Sequence, residues 1–213
     1  MSAHQHSALS SEERGQGFVL LLENGSLSAF RGYRMESAPN GWSADGNELS
    51  FDPKSGSADL STREKYGDFD LRFDFKIAKG GNSGVKILVA EEDSEGWPIG
   101  PEYQIIDDDM NREAPYHRTG ACYEMYAPSK DSHKPAGEWN SARILKQGAH
   151  VTHWLNGEKV VEYEIRSDDW TARLKKSKYT QNPSYARDSE GYICFQDHGT
   201  KAWFRNLRIR KIN

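Results

Sequence analysis

Phe69-Asp70-Leu71-Arg72-Phe73-Asp74-Phe75-Lys76-Ile77 alternates apolar and charged residues without a break. Side chains on a strand point to opposite faces in turn. Phe69, Leu71, Phe73, Phe75 and Ile77 therefore share one face, and Asp70, Arg72, Asp74 and Lys76 the other. Such a segment reads as a strand with one buried and one solvated face, the mark of an antiparallel sheet. Working outward, further strands are expected at 18–22, 47–51, 84–90, 102–106, 121–126, 140–147, 150–155, 158–165, 191–196 and 202–211. Gly80-Gly81-Asn82 and Asp45-Gly46-Asn47 supply turns, and Asn156-Gly157 is the strongest two-residue hairpin signal, joining 150–155 to 158–165. Helical periodicity is nearly absent beyond one short capped turn at residues 8–15. About a dozen strands at short spacing mean a sandwich or a barrel. The terminal strands 18–22 and 202–211 are expected to lie side by side.

The 213 residues suit one domain, residues 17–213, after a polar segment 1–16. A net charge of −4 excludes a broadly basic surface for nucleic acid or anionic membrane. The longest apolar run, Phe18 to Leu22, is far too short to span a bilayer. Met1 to Gly17 carries no apolar signal core, so the sequence reads as cytoplasmic, or as exported with its signal missing. The oligomeric state is not encoded in any feature of the sequence. Cys122 and Cys194 show neither CxxC nor zinc spacing and are expected to be unbridged thiols.

Chemistry concentrates in a few strands. In Glu102-Tyr103-Gln104-Ile105, Tyr103 and Ile105 face the core, while Glu102 and Gln104 face outward together. A carboxylate beside a carboxamide offers the acceptors and donors that sugar hydroxyls need. Gln196 and His198 repeat this outward pairing near the end of 191–196, and His198 is a candidate acid or base. Glu102, Gln104 and Gln196 are expected on one face of one sheet. Lys86, inside the apolar run Gly84 to Leu88, must snorkel, pair with a carboxylate or serve chemistry. Trp139 and Trp154 read as core residues or as stacking platforms. The run Asp107-Asp108-Asp109 has the oxygen chemistry to hold a divalent cation such as calcium, although such runs are more often solvated turns. The long irregular stretch 166–190, with Lys178 and Tyr179, reads as a lid or binding loop. There is no GxSxG elbow, no phosphate-binding glycine loop and no Glu-x-Asp-x-Glu pair for two-carboxylate glycoside hydrolysis.

Six strings in order carry a resemblance. They are Gly80-Gly-Asn-Ser-Gly-Val-Lys86, Glu102-Tyr-Gln-Ile-Ile-Asp-Asp108, Gly137-Glu-Trp-Asn140, His153-Trp-Leu-Asn-Gly157, Phe195-Gln-Asp-His-Gly199 and Phe204-Arg-Asn206. Together they resemble the family of 3-keto-disaccharide hydrolases, formerly domain of unknown function 1080. Arg118-Thr-Gly-Ala-Cys-Tyr123 fits the pattern less neatly, with Cys122 where an aliphatic residue is expected. The resemblance implies a concanavalin A-like jelly roll of two antiparallel sheets and a carbohydrate substrate with a 3-keto group. A 3-keto group acidifies the C2 proton, so cleavage needs one base, one stabiliser of the enolate and one proton source. On this reading Glu102, His198 and Lys86 are the catalytic candidates. Gln104, Tyr123, Asn140, His153, Trp154, Gln196 and Arg205 are the substrate-binding candidates, Arg205 also as a holder of the enolate. Asp107 and Asp108 are the candidate metal ligands. Two alternatives stand beside it, a non-catalytic carbohydrate-binding module and an ordinary glycoside hydrolase. A binder needs stacking aromatics alone, whereas an enzyme needs Lys86, Glu102 and His198 to converge.

Overall fold

The alternation at 69–77 becomes the middle of a large sheet. A computed structural model describes residues 9–91, 96–110 and 114–212. Its strands, in chain order, are β1 (Val19–Leu20), β2 (Phe30–Gly32), β3 (Trp42–Asp45), β4 (Glu48–Phe51), β5 (Leu60–Thr62), β6 (Phe69–Ile77), β7 (Asn82–Val89), β8 (Glu102–Ile106), β9 (Asn140–Gln147), β10 (His150–Leu155), β11 (Glu158–Glu164), β12 (Tyr192–Phe195) and β13 (Ala202–Lys211). The larger sheet runs β11-β10-β9-β6-β13-β4-β3, with β1 against β13. The smaller runs β2-β5-β12-β7-β8, and every pairing in both is antiparallel. This is the two-sheet jelly-roll sandwich expected, with first and last strands adjacent.

Phe73 shows how the layers meet. From the larger sheet its ring contacts Tyr103 (5.9 Å) and Phe195 (6.4 Å) of the smaller one. Edge-on aromatic packing of this kind binds two sheets through one shared core. The Tyr103 hydroxyl donates to the Trp154 carbonyl at 3.0 Å, a second tie between the sheets. On the outer face of β6, Asp70 is fully buried beneath Arg143 (2.8 Å) and Arg72 (3.0 Å). Burial raises its pKa, but the two guanidinium groups outweigh that and hold it below the usual carboxylate range.

Asn156 (φ 51) and Gly157 (φ 84) form the expected hairpin turn, both in the left-handed region. Asn156 adds tertiary bonds, accepting from Ser141 N–H and donating to Ser132 O and Asn140 Oδ1. Cys122 and Cys194 are buried and unbridged, as expected, and burial pushes both thiols up to about 12.

Three expectations change. Residues 121–126 are not a strand. The chain reverses there, with Tyr126 N–H returning to Cys122 O and Glu124 at φ 67, leaving isolated bridges between Cys122 and Tyr103 and between Cys122 and Tyr126. β2, β3 and β5 are additional strands, three or four residues long, too short to show alternation. The stretch 166–190 contains a helix, α2 of the chain after α1 (Ser11–Gly15), at Asp168–Leu174. Ser167 caps it by accepting from Trp170 N–H, and only Trp170 is buried, so a single apolar anchor replaces the usual amphipathic stripe. Among the described residues no helix is long and apolar enough to cross a membrane.

Candidate functional site

The outer face of the smaller sheet carries a row of polar side chains set by register. Lys86 on β7 pairs with Glu102 on β8 and with Cys194 on β12. Two residues back, Gly84 pairs with Gln104, and its carbonyl accepts the Gln196 N–H at 2.8 Å. Glu102, Gln104 and Gln196 thus share one face of one sheet, as their alternation predicts. Together with Asn82, Lys86, Tyr123, Lys178, Tyr179, His198 and the segment Trp97 to Gly100, they line a cavity of about 170 Å³.

Gly84 explains how a carboxyl fits here. A Cβ at that position would lie 2.2 Å from Glu102 Oε1. The Glu102 side chain therefore occupies the space above Gly84, and only glycine leaves that space open. Glu102 is 4% exposed, and its backbone carbonyl accepts the Tyr123 N–H at 3.0 Å. Burial raises its pKa, and the Lys86 and Lys178 ammonium groups recover only part of that cost.

Lys86 meets its carboxylate from an unexpected quarter. Its Nζ donates to Asp59 Oδ2 at 3.2 Å. Asp59 Oδ1 accepts the Asp197 N–H at 2.8 Å. Burial also raises Asp59, partly countered by Lys86. Burial works against the charge on Lys86, but Glu102 and Asp59 together outweigh it and raise its pKa. One ammonium thus serves two buried carboxyls, and both hold a proton to higher pH than solvated carboxyls would.

Aromatic residues form the walls. Lys178 sits over the Tyr123 ring at 4.3 Å, and Tyr123 stacks on His117 at 4.7 Å. Tyr179 stacks on Tyr185 (4.4 Å), which continues through Trp170 (5.8 Å), Tyr163 (5.2 Å) and Tyr126 (5.1 Å). This stack ties Tyr179 and Tyr185 of 166–190 to Trp170, Tyr163 and Tyr126, and Lys178 and Tyr179 from the same stretch line the cavity. A second cavity of about 330 Å³ shares Trp97, Ile99, Lys178 and Tyr179 with the first. Trp97 is 55% exposed at their common rim. Gln196 Oε1 and Asn82 Oδ1 are buried acceptors without a partner among the described residues. Sugar hydroxyls have the donors to complete such groups. The Gln104 carbonyl oxygen is taken by Ile105 N–H, which leaves its NH₂ for a ligand. His198 lies beyond the end of β12, exposed at the cavity mouth.

Four expected binding residues lie elsewhere. Asn140 is consumed by the loop before β9, accepting from Lys134 N–H and Asn156 Nδ2. His153 points into the core between the sheets, with Nδ1 at 3.0 Å from Gly120 O and burial lowering its pKa to about 4. Trp154 and Trp139 lie on the outer face of the larger sheet beneath Arg143 (4.4 Å) and Arg205 (4.1 Å). They are neither core nor cavity, and Arg205 is paired with Asp74 at 3.1 Å. Strand alternation names two faces but does not say which sheet a strand joins, and these residues went to the other one. Asp107 and Asp108 are engaged by backbone, Asp107 by Gly80 N–H and Asp108 by Thr119 N–H. Among the described residues no three His, Cys, Asp or Glu side chains gather as a metal-ligand set. Sequence reasoning missed Asp59 and Trp97. Asp59 precedes a three-residue strand and lies in no motif, whereas Trp97-Pro98-Ile99-Gly100, an aromatic beside turn residues, was a usable signal.

Comparison with known proteins agrees with the resemblance. A 3-keto-disaccharide hydrolase of Bacteroides thetaiotaomicron is 29% identical over 229 residues, covering 92% of this chain and 79% of that protein. A crystal structure of a Parabacteroides distasonis protein classed with the glycosyl hydrolases superposes with a TM-score of 0.88 at 32% identity, covering 97% of this chain and 99% of that one. Another from the same organism gives 0.62 at 25% identity, covering 86% and 99%. Residues 17–210, nearly the whole sandwich and both sides of the Glu102 cavity, match the model of the 3-keto-alpha-glucoside-1,2-lyase-like domain, and the chain belongs to that family.

Proposed function

We propose that the Glu102 cavity cleaves 3-keto-glycosides by proton abstraction, elimination and hydration. Glu102 takes the C2 proton, and the electron pair of that bond moves into the C3 carbonyl as an enolate. The Lys86 ammonium, next to Glu102 on the sheet, stabilises the developing charge. The enolate collapses to an enone with a C1–C2 double bond, and the C1–oxygen bond breaks. His198, at the mouth, donates the proton that the departing oxygen requires. Water then adds at C1 and a proton returns to C2, so the sum is hydrolysis. The amides of Gln104, Gln196 and Asn82 suit the ring hydroxyls. The adjoining cavity, with Trp97 and Tyr179, gives the leaving group a place to stack.

One observation carries this reading. Glu102 is a buried carboxyl held above its usual range by burial, and no other described carboxylate lines the cavity. Among the described residues conventional two-carboxylate hydrolysis lacks its second group, because Asp59 is committed to Lys86 and Asp197 N–H. A pure binding module would suit the aromatic walls, but it has no use for a buried charged trio, which costs stability.

Two tests follow. Deuterium at C2 of a 3-keto-glycoside should slow release of the aglycone, or wash out into water when chemistry is not limiting. Finding neither effect rules out C2 abstraction. Gly84→Ala should push the Glu102 carboxyl off its position while the sandwich stays folded. A displacement on this scale lowers kcat/KM by about 10²-fold. Kinetics beside circular dichroism measure it, and an active Ala variant would show that the Glu102 placement is immaterial.

A further inference from the structure

We propose that Asp59 is a positioning residue for this reaction, holding Lys86 and the 196–198 segment in one grip and setting the protonation of Glu102 through Lys86. The inference rests on the reading of Glu102 as the base. Its two carboxylate oxygens are spent differently. Oδ2 takes the Lys86 ammonium at 3.2 Å and Oδ1 takes the Asp197 N–H at 2.8 Å. Asp197 lies between Gln196 and His198, so the same carboxylate orients both flanking cavity residues. Asp59 itself does not line the cavity and touches no reacting atom. Its side chain is 10% exposed, so water does little to screen its charge from Lys86.

The electrostatic consequence follows from the arrangement. The groups acting on or sensing Glu102 are Lys86 from β7, Asp59 ahead of β5, Lys178, Tyr179 and Tyr185 from 166–190, and Cys122 beneath. His198 shares the cavity from its mouth. Of these, Asp59 is the anion that competes with Glu102 for Lys86. Its negative charge raises Glu102 and, by drawing Lys86 toward itself, weakens the ammonium's opposing pull. A neutral residue at 59 removes the competitor, and Glu102 should then ionise at lower pH.

The test is Asp59→Asn, which keeps an acceptor for Asp197 N–H and removes the charge. Asp59→Ser serves the same purpose if the Asn variant does not fold. An infrared titration of the protonated carboxyl band, assigned to Glu102 by its loss in Glu102→Gln, reads the midpoint without substrate. The midpoint should fall by about one pH unit, and the acid limb of kcat/KM on a 3-keto-glycoside should move with it. Asp59→Glu, which keeps the charge, should restore a midpoint near that of the parent. A purely structural Asp59 would lower the melting temperature and leave both pH readings in place, and that result overturns the proposal. A shifted midpoint with no turnover in the parent supports Asp59 while refuting the reaction. Turnover with an unshifted midpoint refutes Asp59 alone.

Discussion

Glu102→Gln should lower kcat/KM on a 3-keto-glycoside by about 10²–10⁴-fold, the usual contribution of a positioned general base. Gln keeps the volume above Gly84 and the polarity of the cavity but cannot take a proton at C2. Stability should change by no more than about 1–2 kcal/mol, because Lys86 retains Asp59 as its partner. The parent enzyme should show the matching pH dependence. Glu102 must be ionised to act, and its pKa is raised by burial, so activity should fall with acidification at a pH above the ordinary carboxylate range. Steady-state kinetics across pH, beside thermal melts of both proteins, check each part. Activity near that of the parent in the variant would remove Glu102 from the mechanism.

Lys86→Met should have the largest effect on stability. The ammonium is what makes two buried carboxyls tolerable, and its loss leaves Asp59 without its ion partner and Glu102 with Lys178 alone. Removing one partner of a buried pair typically costs about 3–5 kcal/mol. The sign of its pH dependence is fixed. Both carboxyls have folded pKa values above their unfolded ones, so their neutral forms favour the folded state in acid. That contribution is lost as pH rises through the folded values. In the parent, Lys86 counters this by keeping a raised pKa of its own. The gap in melting temperature between parent and variant should therefore widen from mildly acid to mildly alkaline buffer. A gap that narrows with rising pH would mean the pair is not held as described.

Alternation made the fold legible at Phe69–Ile77 because a long strand with one wet face leaves a period of two in the sequence. The same logic set Glu102 and Gln104 opposite Tyr103 and Ile105 and identified Lys86 as out of place. It stopped at strand length and sheet membership. β5 has three residues and no period, so Asp59 ahead of it was invisible, although it supplies the partner that Lys86 demanded. His153 and Trp154 follow one another on β10, yet one enters the core and the other the outer face of the larger sheet. Neither reaches the cavity, and only the pairing of β10 with β9 and β11, which no local pattern encodes, decides that. Asp107 and Asp108 stand in a run of carboxylates, and the backbone N–H groups that each accepts, from Gly80 and Thr119, are placed by tertiary contacts that no local pattern encodes.

Incubating the protein with a 3-keto-glucoside carrying a chromogenic aglycone, and separately with its unoxidised parent, tests the central claim most directly. The account predicts release of the aglycone from the keto-sugar alone, because only the ketone acidifies the C2 proton that Glu102 removes. Release from the unoxidised glucoside at a comparable rate, or from neither compound, would contradict it.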